Sequence, residues 1–455
     1  MKSNIFYLTD YGVNNDGYSD STSAINKVFE EIATSGGGTV VFPSGNIRIS
    51  SPLIIPDSGI RIQTASSYLT KITPLDNFSG EAILFFKKAS NRSGNKGINL
   101  DHGININCNN KQTNGIIIEN GYDQITFRNV EVRNVHSDFS GFLFKKTEEN
   151  PTVEVGQTIL LENCIVDHTT NMPIAPCYSF TKYQEINLIG CKGFANPPLS
   201  EPALPGSIRQ GVAFDFKDCR GVTLTGCSAG FAHTAISFTA ETRSVVGLTI
   251  IGQTNEAITG DALYTEAKGA YFVDQVMVLP IRRQVGKNDI TEGSGKYNLN
   301  QTGQSELHTG IEKVILGKGC NQNIIFTSNK ENVSGNMKNS TIIAGANNNK
   351  LGTTFNESIE ILTSSISDAP ILNFVNQDGA SSRILYTRYG ALEAQKYNPE
   401  TKTWNPTLRV VEGSANNYTG LYVPYRVDGI LKFAPIRVGA PESGGAGLRA
   451  LALPN

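Results

Sequence analysis

The chain has little of what binding to membranes, nucleic acids or metals requires. No apolar run is long enough to cross a bilayer. The start, MKSNIFYLTD, lacks the apolar core and small-residue cleavage site of a secretory signal. An excess of positive charge is missing too: 39 Lys and Arg stand against 41 Asp and Glu, a net charge of -2. That is no footprint for nucleic acid or an anionic membrane surface, both of which need a concentrated basic face, so neither is expected as a partner. The seven cysteines (108, 164, 177, 191, 219, 227 and 320) are an odd number with no C-x-x-C spacing. They fit neither a disulfide scaffold nor a zinc site, and a reducing cytoplasm is the expected folding compartment. No cofactor and no metal are expected. The one tryptophan, Trp404, falls in the C-terminal region and is expected to pack there.

What is present in quantity is turn and strand material. Forty-five glycines stand among dense Asn, Thr, Ser and β-branched residues, the composition of many short strands and tight turns. Near the start, TDYGVNNDGYSDST (9–22) carries Asp10, Asp16 and Asp20 in a pattern close to a calcium loop. With Gly17 in the glycine position, however, the ligands before it would be Gly12, Asn14 and Asp16, and the closing glutamate would be Ser23. These aspartates are therefore assigned to structure. One helix follows, with Ile25, Val28, Phe29 and Ile32 on its apolar face, Asp20 or Ser21 as N-cap, and Gly36 to Gly38 ending it.

Five segments overlay: ITFRNVEVRNV from Ile125, ILLENCIVDHT from Ile159, INLIGCKGFAN from Ile186, VTLTGCSAGFA from Val222 and LTIIGQTNEAI from Leu248. Asn or Gly comes four residues after each start (Asn129, Asn163, Gly190, Gly226, Gly252), and Val130, Cys164, Cys191, Cys227 and Gln253 come fifth. The starts lie 34, 27, 36 and 26 residues apart, within the solenoid range. A second strand precedes each copy: GIIIEN at 115, GFLFKK at 141, CYSFTK at 177, GVAFDF at 211 and AISFTA at 235. Stacked, such units share one core, in which the cysteines form an apolar column. The same overlay predicts three ion pairs between neighbouring coils, Glu119 with Lys145, Arg128 with Glu162 and Arg133 with Asp167. The helix at the start would cap the open end of the stack.

The stretch DYGVNNDGYSDSTSAINKVFEEIATSGGGTVVFPSG (10–45) resembles the opening of pectate-lyase-like right-handed parallel β-helix proteins, the superfamily that includes polygalacturonases and bacteriophage tailspikes, some of them capsule depolymerases. The coils extend the resemblance to about residue 350. It implies an all-β chain: an N-terminal cap with the helix and first strands (1–50), the solenoid (51–354) and a C-terminal antiparallel β domain (355–455). In that last part Gln377-Asp378-Gly379 and Asn398-Pro399 read as hairpin turns. The tail FAPIRVGAPESGGAGLRALALPN looks like the distal end of a phage tail protein. The resemblance thus implies a homotrimer in a virion, assembled in the host cytoplasm, joined to tail or baseplate through an N-terminal segment, and acting outside on a bacterial surface polysaccharide.

Glycosidic hydrolysis needs two carboxyl groups, about 5–5.5 Å apart for retention and about 6.5–9.5 Å for inversion, and neighbouring coils supply such spacings. The outward column of the upstream strands reads Glu119, Lys145, Thr181, Asp215, Thr239. Asp215, with threonines on both sides, is the leading catalytic candidate, paired with Glu241 or else with Asp218 or Glu201. The long segment NPPLSEPALPGSIRQ (196–210), carrying Glu201 and Arg209, is expected to wall the groove. Asp167 and Glu162 beside His168 form a second cluster, for which the ladders to Arg133 and Arg128 are the competing structural explanation. His136, His168 and His233 each fall in the turn after a final repeat strand, where they could contact acidic sugars, His233 being the one kept as a substrate-binding candidate. Arg209, Arg243, Lys192 and Tyr178 complete the substrate-binding candidates, with core packing the alternative for Tyr178 and Phe231. Lys192, Arg209 and Arg243 would also serve a lyase acting on a uronic-acid glycan, the second functional reading. A non-catalytic polysaccharide receptor is the third.

Overall fold

Strands that alternate an inward apolar residue with an outward polar one bury a single face, and each needs partners above and below. In the computed structural model they find them one coil away. The structure describes residues 4–344 apart from 57–58, 65–68, 88–94, 102, 120–121, 146–155, 169–174, 196–210, 280–281, 284–294, 311, 328–329 and 338–339. Beyond 344 it describes 360–361, 371–375, 381–387, 391–398, 400, 403–411, 420–427 and 430–436. The chain divides into two units, Met1–Thr341 and Ile342–Asn455.

The first unit is a right-handed parallel β-helix with three sheets along its length. One coil runs through Tyr178–Thr181 in the upstream sheet, Gln184–Ile189 in the middle sheet and Lys192–Phe194 in the third sheet. The next coil begins at Val212–Lys217. In the middle sheet Ile125, Ile159, Ile186, Val222 and Leu248 stack in one file, the register that the repeat predicts. Asn129, Asn163, Gly190, Gly226 and Gly252 make the turn into the third sheet at φ 55, 52, 62, 60 and 63°. Only residues that tolerate the left-handed region suit such a one-residue corner, which explains the Asn/Gly alternation. Val130, Cys164, Cys191, Cys227 and Gln253 stack behind it with no exposure. The Cys191 and Cys227 thiols donate to the carbonyls of Leu161 and Leu188 at 3.3 and 3.4 Å. Burial pushes the thiols of Cys108 and Cys219 up to about 12, so they stay protonated as core groups.

Two files of stacked rings run up the upstream sheet. Phe142, Tyr178 and Phe214 lie 5.1 and 4.9 Å apart; Phe144, Phe180 and Phe216 lie 4.4 and 5.2 Å apart. These rings correct the sequence alignment of one strand. Ser179 pairs with Asp215 and Thr181 with Lys217, and on the next coil Asp215 pairs with Ser237 and Lys217 with Thr239. The strand Val212–Lys217 thus sits two residues away from the expected register. A two-residue slip leaves every side chain on the same face, so alternation alone cannot detect it; the stacking of Phe214 and Phe216 on Tyr178 and Phe180 decides it.

At the start, the helix Thr22–Thr34 buries Ile25, Val28, Phe29 and Ile32 completely. Ser21 occupies the N-cap position, but the carboxylate that receives the Thr22 N–H, at 3.0 Å, is that of Asp20. The Asp16 carboxylate accepts the N–H groups of Tyr18 and Ser19 at 2.8 and 2.9 Å. Those local bonds account for two of the three early aspartates. The helix also covers the free edge of Leu53–Pro56: Asn26 donates to Pro52 O at 3.0 Å and accepts from Ile54 N at 2.9 Å, as a neighbouring strand would.

In the second unit, Ile371–Val375, Ser381–Thr387, Ala391–Asn398, Thr403–Val411, Gly420–Val427 and Ile430–Ile436 form an antiparallel sheet in which consecutive strands pair. The expected turn residues 377–379 and Pro399 lie outside the described residues, as does 437–455.

Truncating Phe180 to Ala empties the middle of a ring file and should cost about 3–5 kcal/mol, with Phe180→Leu costing much less. Urea unfolding followed by far-ultraviolet circular dichroism measures both; a loss below about 1 kcal/mol for the alanine would contradict the packing described.

Candidate active site

On Val212–Lys217 the inward positions are Phe214 and Phe216, so Asp215 and Lys217 face outward. Asp215 has Ser179 and Ser237 as stacked neighbours, correcting the expected Thr181 and Thr239. Its column continues through Tyr264 and Asn298. The carboxyl is half-buried, and burial pushes its pKa up to about 6. The Ser237 hydroxyl and the Lys217 charge oppose that rise, and Glu241 adds to it. At neutral pH a measurable share of Asp215 therefore carries a proton.

Glu241, in the turn after Thr234–Ala240, is placed in the opposite condition. Lys217 contacts one of its carboxylate oxygens and Lys268 the other, the latter at 2.7 Å. Hydrogen bonds from Lys217 and then Lys268 hold the Glu241 carboxyl below its ordinary value. The result is a protonatable acid and a firmly ionised carboxylate on adjoining coils, linked by the lysine two residues beyond Asp215.

The remaining candidates near this point build the frame. Asp218 is fully buried with φ 55°. Its carboxylate accepts the N–H groups of Glu241, Thr242 and Arg243 at 2.7, 2.9 and 3.3 Å, and the Thr242 hydroxyl at 2.6 Å. Burial works against its ionisation, yet these bonds lower its pKa overall. Arg243 donates from Nε to Asp218 O at 2.5 Å and from Nη2 to Tyr183 O at 3.5 Å, and burial lowers its pKa. Both residues thereby fix the turn that presents Glu241. His233 is half-buried in the turn before Thr234–Ala240, close against Gly260.

Other candidates stand apart. Tyr178 is wholly buried between Phe142 and Phe214, its hydroxyl donating to Cys164 O at 2.7 Å, so the sugar-contact reading is replaced by the core alternative. Lys192 is exposed on the third sheet, a different face. Glu162 pairs with Arg128 at 2.9 Å and Asp167 with Arg133 at 3.3 Å, and Glu119 lies 3.6 Å from Lys145, the three predicted ladders. His168 ends the strand Ile165–His168 rather than lying in a turn. It is 1% exposed, with Nε2 3.0 Å from Phe139 O and Nδ1 3.4 Å from the Cys177 thiol, and burial lowers its pKa. Glu201, Arg209 and the expected wall 196–210 lie outside the described residues.

Sequence reasoning missed Lys217, Lys268 and Tyr264. Lys217 was displaced by the two-residue register error. Tyr264 lies in DALYTEA, one coil beyond the last upstream strand of the overlay. Burial, then the hydrogen bond to Glu266, raises its phenol pKa.

Residues 5–188 match the family described as Rhamnogalacturonase A/epimerase, pectate lyase-like, so the N-terminal coils carry a pectate-lyase-like sequence pattern. No curated protein matches the chain. Among solved structures, similarity extends to the N-terminal fragment of bacteriophage phi29 gene product 12, with 14% identity and a TM-score of 0.49. That match covers 74% of this chain and 59% of the phage chain. DFA-IIIase from Arthrobacter chlorophenolicus A6 is similar over 75% of this chain and 85% of its own, at 9% identity and a TM-score of 0.46. The Acinetobacter phage vb_AbaP_AS12 gp42 tailspike aligns over 99% of this chain and 85% of its own, at 11% identity and a TM-score of 0.41.

The proton on Asp215 has a consequence for stability. The folded state holds it up to about pH 6, whereas an unfolded aspartate releases it near 3.9. The contribution of Asp215 to stability should therefore fall between these two values as pH rises, then level off. Asp215→Asn should lack that slope, which parallel denaturant titrations at stepped pH measure.

Proposed function

We propose that this chain is a phage tailspike that binds a bacterial surface polysaccharide, capsule or O-antigen, and cuts it internally by glycosidic hydrolysis. The observation that carries this reading is the arrangement of Asp215, on the outward face of the upstream sheet, with Glu241, in the turn that follows the next coil's strand. One carboxyl is kept protonatable by burial, and the other is kept ionised by two lysines. Carboxyl groups whose surroundings separate their proton affinities are what acid–base cleavage of a glycosidic bond uses.

In this reading Asp215 delivers its proton to the leaving glycosidic oxygen. Glu241 stabilises the positive charge that develops on the sugar ring or activates the attacking water. Lys217 and Lys268 keep Glu241 anionic and oriented, while Asp218 and Arg243 hold its turn. A polymer laid along the coils would pass Ser179, Asp215, Ser237, Tyr264 and Asn298, a file of hydrogen-bonding side chains. The pectate-lyase-like pattern of residues 5–188 supports a polysaccharide substrate. The phage-tail character of the C-terminal sequence supports a place in the virion as a homotrimer.

Reducing-end release from purified capsule or O-antigen tests the proposal. Asp215→Asn and Glu241→Gln should each lower kcat by about 10²–10⁴-fold with the fold intact. In wild type, kcat should fall as pH rises beyond about 6 and Asp215 loses its proton. Undiminished cleavage by Asp215→Asn would remove the site assignment. Products with the ultraviolet absorbance of unsaturated uronides would replace hydrolysis by elimination, and binding without cleavage would make the protein a receptor. The native particle should have the mass of three chains.

A further inference from the structure

On the outward face of the middle sheet lie two shallow cavities, of about 360 and 420 Å³. One file joins them: Thr126, Leu160, Asn187, Thr223, Thr249, Met277, Glu306 and Ile324 are register partners on eight successive coils. Seven steps of roughly 4.8 Å make this a strip of about 34 Å.

The backbone beside this file is unusual. Gln124, Thr158, Glu185, Gly221, Gly247 and Gln275 stack as the next file, at φ 58, 60, 55, 60, 81 and 56°. A left-handed residue inside a strand breaks the pleat and re-aims side chains. Glycine would relieve the strain, yet four of the six are not glycine, and Thr158 is β-branched. A left-handed conformation kept in register over six coils, and strained in the four that are not glycine, points to a use for the shape it makes.

The lining specifies what would fit. Among the described residues lining either cavity, Glu306 is the one charged side chain. The rest interleave amides and hydroxyls with apolar ledges: Ile189, Met277 and Ile324 are 43%, 39% and 42% exposed. Side-chain amides offer a donor and an acceptor side by side, matching the paired hydroxyls of a sugar ring, and the ledges suit its C–H faces. A polyanionic ligand would call for Arg or Lys, and a protein partner for Tyr, Trp or Arg anchors; neither cavity is lined by these.

We propose that this face is a second carbohydrate-binding site, which holds an uncharged stretch of polysaccharide without cutting it. It lies on a different sheet from Asp215 and does not depend on the catalytic assignment.

The test uses the full chain carrying Asp215→Asn, labelled with ¹³C at its methionine methyls. There are 4 methionines, and Met277→Leu identifies the resonance that reports on the strip. Maltoheptaose, cellohexaose and mannohexaose serve as neutral probes, with hexagalacturonate as the acidic comparator. At least one neutral probe should shift the Met277 methyl saturably in the millimolar range. Combined Gln275→Ala, Gln304→Ala and Gln322→Ala should weaken that binding at least about ten-fold, or 1.4 kcal/mol. An unchanged far-ultraviolet circular dichroism melt would show that the triple variant is folded, and Thr249→Lys, a single outward change on the strip, should weaken binding in the same way. The proposal falls if no neutral probe shifts Met277, if hexagalacturonate shifts it as strongly, or if both altered proteins bind like the parent. It falls equally if dilution without sugar moves Met277, since a second copy would then cover the face.

Discussion

Each strand of the β-helix finds its hydrogen-bonding partners one coil away, so each position stacks on its equivalents about 4.8 Å above and below. This spacing turns sequence positions into files. An apolar file becomes core, as with the rings of Phe144, Phe180 and Phe216. A left-handed file becomes a corner, as with Asn129, Asn163 and Gly190. An outward file becomes a row of side chains close enough to share protons and charge.

The chemistry of the upstream face follows from such rows. Lys217, Glu241 and Lys268 come from three successive coils, and their contacts fix Glu241 as an anion. Asp215, two residues before Lys217 and half-buried between serines, keeps its proton up to about pH 6. The same backbone thus gives two carboxyl groups opposite tendencies, and the difference comes from their neighbours in the stack. On the middle sheet, an outward file in which Glu306 is the one charged side chain gives a surface suited to neutral hydroxyl-rich ligands.

Much of the fold was legible because its signals are local or periodic. The Asn/Gly corners, the cysteine file and the apolar side of the first helix are each set by one residue's conformational tolerance or hydrophobicity. The predicted pairs of Arg128 with Glu162, on the middle sheet, and Arg133 with Asp167, on the third, form because those corners anchor the register of the strands on either side of them. Asp215 and Glu241 could be named, since both stood in or near an outward file.

The sequence by itself determined that the chain coils, where the corners of the coil fall and which side of each strand is buried, because sterics and burial act on residues close in the chain. Only the tertiary structure decided that Asp215 lies between serines with Lys217 in the next file, because a two-residue slip preserves alternation and only ring stacking between coils resolves it. It also decided that Asp218 and Arg243 serve the turn and Tyr178 the core. Those roles depend on partners 24, 25 and 36 residues away, which the folded coils alone bring together.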